Sequence, residues 1–187
     1  MGEALSADRP EHAQRRDDAE SGWRAIYTRH QHEKVVAELL ADKGFDVFLP
    51  MYDSVRRWKD RTKTLRLPLF TCYAFIRGAL DRRFEILNLP GVIALVGRPF
   101  GSAVIAGAEI ESIRRVIAAA APIEPHPPVA EGQRVRVTCG PLEGIEGMLV
   151  RRPSQCRLVL SLEALGQGAA VHVDASSVEP VAAPSSR

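Results

Sequence analysis

FDVFLPMYDSVRRWKDRTKTLRLPLFTCYAFI (residues 45–76) is the stretch that decides the fold. Its first eight residues alternate, with Phe45, Val47 and Leu49 on one side, and this period of two predicts a strand over 45–52. Its last ten, residues 67–76, are nearly all apolar or aromatic and predict a central strand. Between them stand Arg56, Arg57, Lys59, Arg61, Lys63 and Arg66 against Asp60 alone, with Trp58 in their midst. Two strands joined by such a segment read as a hairpin whose tip carries positive charge.

Upstream, WRAIYT (23–28) is short, aromatic and aliphatic, and predicts a strand. In HEKVVAELLADKG (32–44), Val35 and Val36 recur four residues later as Leu39 and Leu40, which puts four side chains on one helical stripe with Gly44 as a stop. Downstream, DRRFEIL (81–87) predicts a short helix with Asp81 as N-cap, and VIALVG (92–97) another strand. GAEIESIRRVIAAA (107–120) sets Ile110, Ile113 and Ile117 on one face of a further helix. Then Pro122, Pro125, Pro127 and Pro128 crowd residues 118–130; proline fixes φ and removes a donor, so an extended spacer is expected there. Beyond it, 133–152, 156–165 and 170–181 are short alternating runs cut by Gly and Pro turns, the pattern of a small antiparallel barrel. The fold class expected is α+β: an antiparallel sheet flanked by helices, then a small β-barrel. The expected layout is a polar tail (1–21), a first domain (22–117), a Pro-rich linker (118–130), a second domain (131–182) and a short tail (183–187).

Composition narrows the function. A net charge of +2 over 187 residues excludes a histone-like polycation, so any nucleic-acid contact must come from local clustering. Neither a membrane-length apolar run nor a secretory signal core is visible, and three scattered cysteines make no disulfide framework. A cytoplasmic, monomeric protein without membrane contact is expected. No Walker loop, no G-x-G-x-x-G and no G-x-S-x-G occurs, so no enzyme, cofactor or catalytic residue is expected. His30 and His32 stand two apart with no Asp, Glu or Cys at ligand-like spacing, so no metal site is expected either. The cationic residues Arg56, Arg57, Lys59, Arg61 and Lys63 are candidates for phosphate contact; the alternative is a loop that meets only water.

The order W-x-x-x-Y, amphipathic helix, F-x-V-F-L-P, basic loop and L-F-x-x-Y-x-F resembles the N-terminal domain of the NusG family of transcription elongation factors. VRVTCGPLEGIEGMLV (135–150) resembles the KOW motif, with its turn at Gly140-Pro141 and with Gly144 and Gly147 where side chains would clash. The two motifs together span nearly all of residues 22–181.

The resemblance implies a five-stranded SH3-like barrel in the second domain and RNA polymerase as partner. Family members dock on the clamp helices of β′, reach the gate loop of β, hold the clamp closed and suppress pausing. The KOW barrel recruits a small-subunit ribosomal protein or Rho. Carried over by position, Phe70, Tyr73 and Phe75 would bind the clamp helices, and Arg82, Arg83, Phe84 and Glu85 would meet the gate loop. Arg29 and His30 would touch non-template DNA. Tyr73 and Phe75 share strand parity, so their face is either core or interface. Thr71-Cys72 departs from the Pro-Gly or Pro-Asn usual in the family. The strand 67–76, the short 78–91 loop and the basic segment point to a specialised, RfaH-like antiterminator. The alternatives are a general elongation factor coupled to Rho and a ribosome-associated RNA-binding KOW protein. Prolines 141 and 153 and the KOW glycines argue for a β-barrel over a helical hairpin across 145–165.

Overall fold

The computed structural model describes residues 22–58, 61–78, 81–98, 101–129, 132–152 and 155–181. The class is α+β, as the sequence predicts. The first sheet is built on β1 (Trp23–Thr28), which lies between β5 (Tyr73–Arg77) and β6 (Val92–Leu95), with β2 (Asp46–Phe48) beyond β5; all pairings are antiparallel, and β9 (Val104–Ile105) also pairs with β1. Nearly every β1 residue is buried because helices cover both faces of the sheet. Ile26, Ile76 and Leu95 share one cluster with Val36 and Leu40 of α1 (Glu33–Asp42) and Ile86 of α2 (Arg83–Leu87). Trp23, Ala25 and Phe75, of the opposite parity, pack with Ile110, Ile113 and Val116 of α3 (Gly107–Ala118).

Local chemistry sets the ends of these helices. Gly44, at φ +79°, stops α1 in a left-handed turn whose N–H donates to the Ala41 carbonyl at 2.8 Å. The buried stripe of α1 is narrower than its sequence suggests: Val36 and Leu40 are buried, Leu39 is half-buried and Val35 faces solvent. At the start of α3 the Glu109 carboxylate accepts the Ala106 N–H at 3.2 Å, satisfying one of the orphan donors of that terminus. Val116 rather than Ile117 completes the buried face of α3. Helix α2 begins at Arg83, with Arg82 at the N-cap position; Asp81 lies in the preceding turn and caps nothing.

Both strands of the deciding stretch are interrupted. The run 45–52 breaks at Leu49-Pro50, after which β3 (Met51–Arg57) leaves the main sheet to pair with β4 (Thr62–Pro68) as a separate two-stranded ribbon. The run 67–76 is not one strand: β4 ends at Pro68, residues 69–72 turn, and β5 begins at Tyr73. Cys72 holds φ at +66°, a left-handed conformation uncommon outside glycine. A second short ribbon, β7 (Gly97–Arg98) with β8 (Gly101–Ser102), follows β6.

The C-terminal sheet has six strands, one more than expected. Its order is β10 (Ile123–His126), β14 (Gln167–Val173), β13 (Gln155–Leu162), β12 (Glu146–Arg152), β11 (Gln133–Val137), β15 (Val178–Pro180), antiparallel throughout. The extra strand is cut from the Pro-rich segment 118–130, so that segment is not a free spacer. Proline is tolerated in β10 because the strand lies at the sheet edge, where Pro125 can face Ala169 without breaking an interior ladder. Arg157 on β13 anchors it through an ion pair to Glu124. Residues 146–152 and 155–162 are strands and 163–165 a short 3₁₀ turn, as turn chemistry and periodicity predict.

The two sheets are joined. One contiguous apolar cluster runs from Trp23 and Phe75 through Ile110 and Ile113 to Val135, Leu158, Leu160 and Val171. Arg115 of α3 donates to the Glu143 carbonyl, and Glu109 accepts the Glu163 N–H at 3.4 Å. The extended spacer expected between two separate domains is therefore corrected: the buried stripe of α3, Ile110, Ile113 and Val116, lies in one apolar cluster with residues of both sheets.

Candidate functional site

The three aromatic residues expected at one surface are sorted by depth. Phe75 is fully buried, and Phe70, 1% exposed, meets it edge to face at 5.7 Å between ring centroids. Phe48 adds a further ring at 6.2 Å from Phe75 and 6.2 Å from Trp23, and Arg114 of α3 lies over both Phe48 and Trp23. Phe70 and Phe75 are thus core and not exposed anchors, which corrects their expected place. Tyr73, two residues along the same face, is half-buried at the end of the strand. Shared parity therefore makes this face core in its middle and surface at its end.

Tyr73 has a partner in Tyr27, the tyrosine of the W-x-x-x-Y motif, a pairing that the motif does not announce. Strand register sets Tyr27 of β1 opposite it, with ring centroids 5.4 Å apart and Tyr27 38% exposed. Burial, then the neighbouring Tyr27 and Cys72, push the Tyr73 phenol above its ordinary range. Only cross-strand pairing joins Tyr27 to Tyr73, and register is not readable without the fold.

The basic segment forms the β3–β4 ribbon. Arg56 stands opposite Lys63, and Arg56, Arg57, Arg61, Lys63 and Arg66 are all exposed. Like charges facing each other across a strand pair are destabilising, and a polyanion relieves that repulsion. Trp58, exposed at the tip, is covered on one side by the Arg61 guanidinium at 5.7 Å. Lys59 lies outside the described residues.

The remaining candidates are scattered. Arg82 is held by Glu85, at 3.1 and 2.8 Å, and by the Lys43 carbonyl at 3.0 Å, and its guanidinium stacks over Phe45 at 4.0 Å. The hydrogen bond from Arg82 draws the Glu85 carboxyl below its usual range. Arg83 is half-buried, whereas Phe84 is 79% exposed, an apolar ring with no cover in this chain. Arg29 and His30 are exposed in the turn between β1 and α1. Of the glycines expected in the second domain's turn, Gly140 and Gly144 take φ of +86° and +81°, and the turn they make with Pro141 rests beside Arg115 of α3. Gly144 is required for its backbone angle, not for space: the atom nearest an added Cβ would be 4.0 Å away.

One constellation runs against expectation. His30, Glu33 and Cys72 bring their ligand atoms within 4.8 Å of one another. Sequence spacing could not show it, because Cys72 arrives from the β4–β5 turn across the end of the sheet. Burial, and then the Glu33 charge, push the Cys72 thiol up.

The model of the family described as "Transcription termination factor nusG" matches residues 21–114, half of the chain. No curated protein matches the sequence. A solved structure described as "Domain interaction in Thermotoga maritima NusG" is similar at a TM-score of 0.54 and 17% identity, covering 87% of this chain and 98% of that one. It supports a shared fold across both sheets. Two conformations of an MjSpt4:Spt5 complex, at 20% and 19% identity, cover 85% and 86% of this chain and 97% of that one, each at a TM-score of 0.31.

Proposed function

The chain belongs to the NusG family of transcription factors, which are not enzymes, and from that premise we propose that it binds RNA polymerase and suppresses pausing and termination. The observation that carries this reading is the Tyr27–Tyr73 pair. Two aromatic rings sit partly exposed and side by side on adjacent, paired strands, so binding them costs little side-chain ordering. The β′ clamp helices are the proposed occupant, with Phe70 and Phe75 acting beneath as the packed floor. Phe84, exposed on α2, is the proposed contact to the β gate loop, and Arg82 and Glu85 hold that helix in place.

Tyr73→Ala is expected to weaken binding to a β′ clamp-helix fragment by about 1–2 kcal/mol, with Tyr27→Ala close behind. Isothermal titration with variants of native circular dichroism measures this, and unchanged affinity for both would remove the pair from the interface.

The β3–β4 ribbon is the proposed contact to nucleic acid in the elongation complex. Changing Arg56, Arg57, Lys59 and Arg61 to Gln should weaken association and flatten its dependence on salt, because fewer counterions are released. An unaltered slope of log affinity against log salt would show that the ribbon meets only water. Arg29 and His30, in the turn between β1 and α1, are proposed to approach the displaced DNA strand.

We take residues 22–117 as the polymerase-binding unit and the C-terminal sheet as a KOW barrel that recruits a further factor. A ribosome-bound RNA reader is disfavoured by the charge of residues 131–182, which hold five arginines against six acidic residues, with Glu146 paired to both Arg136, at 2.6 Å, and Arg134, at 3.4 Å. Action on few operons, as a specialised antiterminator, is proposed over general elongation. Mapping the protein along the chromosome distinguishes them, since occupancy of most transcribed genes would identify the general factor.

A further inference from the structure

We propose that His30, Glu33 and Cys72 form a zinc-binding site that staples the β1–α1 turn to the β4–β5 turn. The three residues supply an imidazole nitrogen, a carboxylate oxygen and a sulfur, a donor set suited to Zn²⁺ rather than to Mg²⁺ or Ca²⁺. Their geometry fits one cation. Zn–S and Zn–N bonds of about 2.3 and 2.0 Å put two tetrahedral ligands roughly 3.5 Å apart. Cys72 Sγ and His30 Nδ1 are already 3.9 Å apart, and all three ligand atoms lie within 4.8 Å, so small side-chain rotations close the site.

The surroundings are built for it. Glu33 is 3% exposed, and its Oε1 accepts the Cys72 N–H at 2.8 Å, which locks the carboxylate beside the sulfur. A carboxylate has lone pairs to spare after one such bond. The His30 carbonyl lies 3.1 Å from His32 Nδ1, which steadies the turn that carries His30. Cys72 holds a φ of +66°, and its sulfur lies 3.9 Å from His30 Nδ1. With three protein ligands and His30 exposed, the fourth position opens to solvent, where water or a partner's donor completes the tetrahedron.

The full-length chain, stripped with a chelator and dialysed, should bind Co²⁺ at one equivalent and show a thiolate-to-cobalt charge-transfer band that Zn²⁺ abolishes. Cys72→Gly is the decisive variant, because glycine accepts the backbone angle and leaves the fold intact. It should remove the band and lower Zn²⁺ affinity by at least about tenfold, as should His30→Ala, whereas His32→Ala should retain both. Absence of the band in the wild-type chain would overturn the site. So would a band that survives Cys72→Gly, which would assign the metal to Cys139 or Cys156.

Discussion

Gly147→Val is expected to cost about 3 kcal/mol or more of stability, a loss of roughly 6–12 °C in melting temperature for a chain of this size. Two effects of opposite sign meet at this position. Valine suits a strand better than glycine, by up to about 1 kcal/mol. A Cβ on residue 147, however, would sit 2.6 Å from the Val159 carbonyl oxygen and 3.1 Å from two carbons of Leu158. The carbonyl belongs to the adjacent strand β13 and cannot swing aside without breaking the ladder, so the clash wins. Thermal unfolding followed by circular dichroism measures it. Gly140→Ala is the control: nothing lies within 4 Å of its added methyl, and only the backbone angle of +86° is penalised, at about 1 kcal/mol. Equal losses at the two positions would refute the close approach.

Phe75→Ala is expected to lower stability by about 3–5 kcal/mol, the range for emptying an aromatic site in a closed core. Phe75 is fully buried between Phe48 and Phe70, and Phe48 cannot collapse into the gap without losing its own edge contact with Trp23. Tyr73→Ala, on the same strand face, should cost far less stability because its ring already meets solvent. Denaturant titration of both variants separates floor from surface. A mild Phe75→Ala that nonetheless abolishes polymerase binding would make Phe75 a direct contact and reverse their roles.

Much of the fold was legible because local chemistry and tertiary packing agree. The Val36/Leu40 spacing, the Gly44 stop, the alternation around Val135 and Val137 and the Gly140-Pro141 turn all appear where their physics puts them. The failures share a cause. Apolar runs such as 67–76 signal burial without saying where the chain bends, and the turn at Cys72 uses a left-handed angle that no glycine announces. Proline over 118–130 forbids a central strand but not an edge one, and only the partner strand β14 reveals the difference. Of the candidate site, the charged ribbon could be read from composition alone. Depth could not: Phe75 and Tyr73 carry the same pattern, and only α3, packed over one and not the other, tells floor from surface. Tyr27 and the His30–Glu33–Cys72 group depend on contacts between segments distant in sequence, which no local period encodes.

Strand β10 also determines how far apart the two halves of the molecule can travel. Helix α3 ends at Ala118 and β10 begins at Ile123, so four residues form the whole leash. Fully drawn out they reach about 14 Å. Even this slack is taken up, since Ala120 and Ala121 donate back to the Ile117 and Val116 carbonyls at 3.0 and 3.3 Å. So short a tether keeps each half at a local concentration of about millimolar or above for the other. A weak mutual contact then suffices to hold the 140–144 turn against α3 most of the time. An outside ligand for that turn competes with a neighbour that never diffuses away, unless β10 first peels from β14 and lengthens the leash.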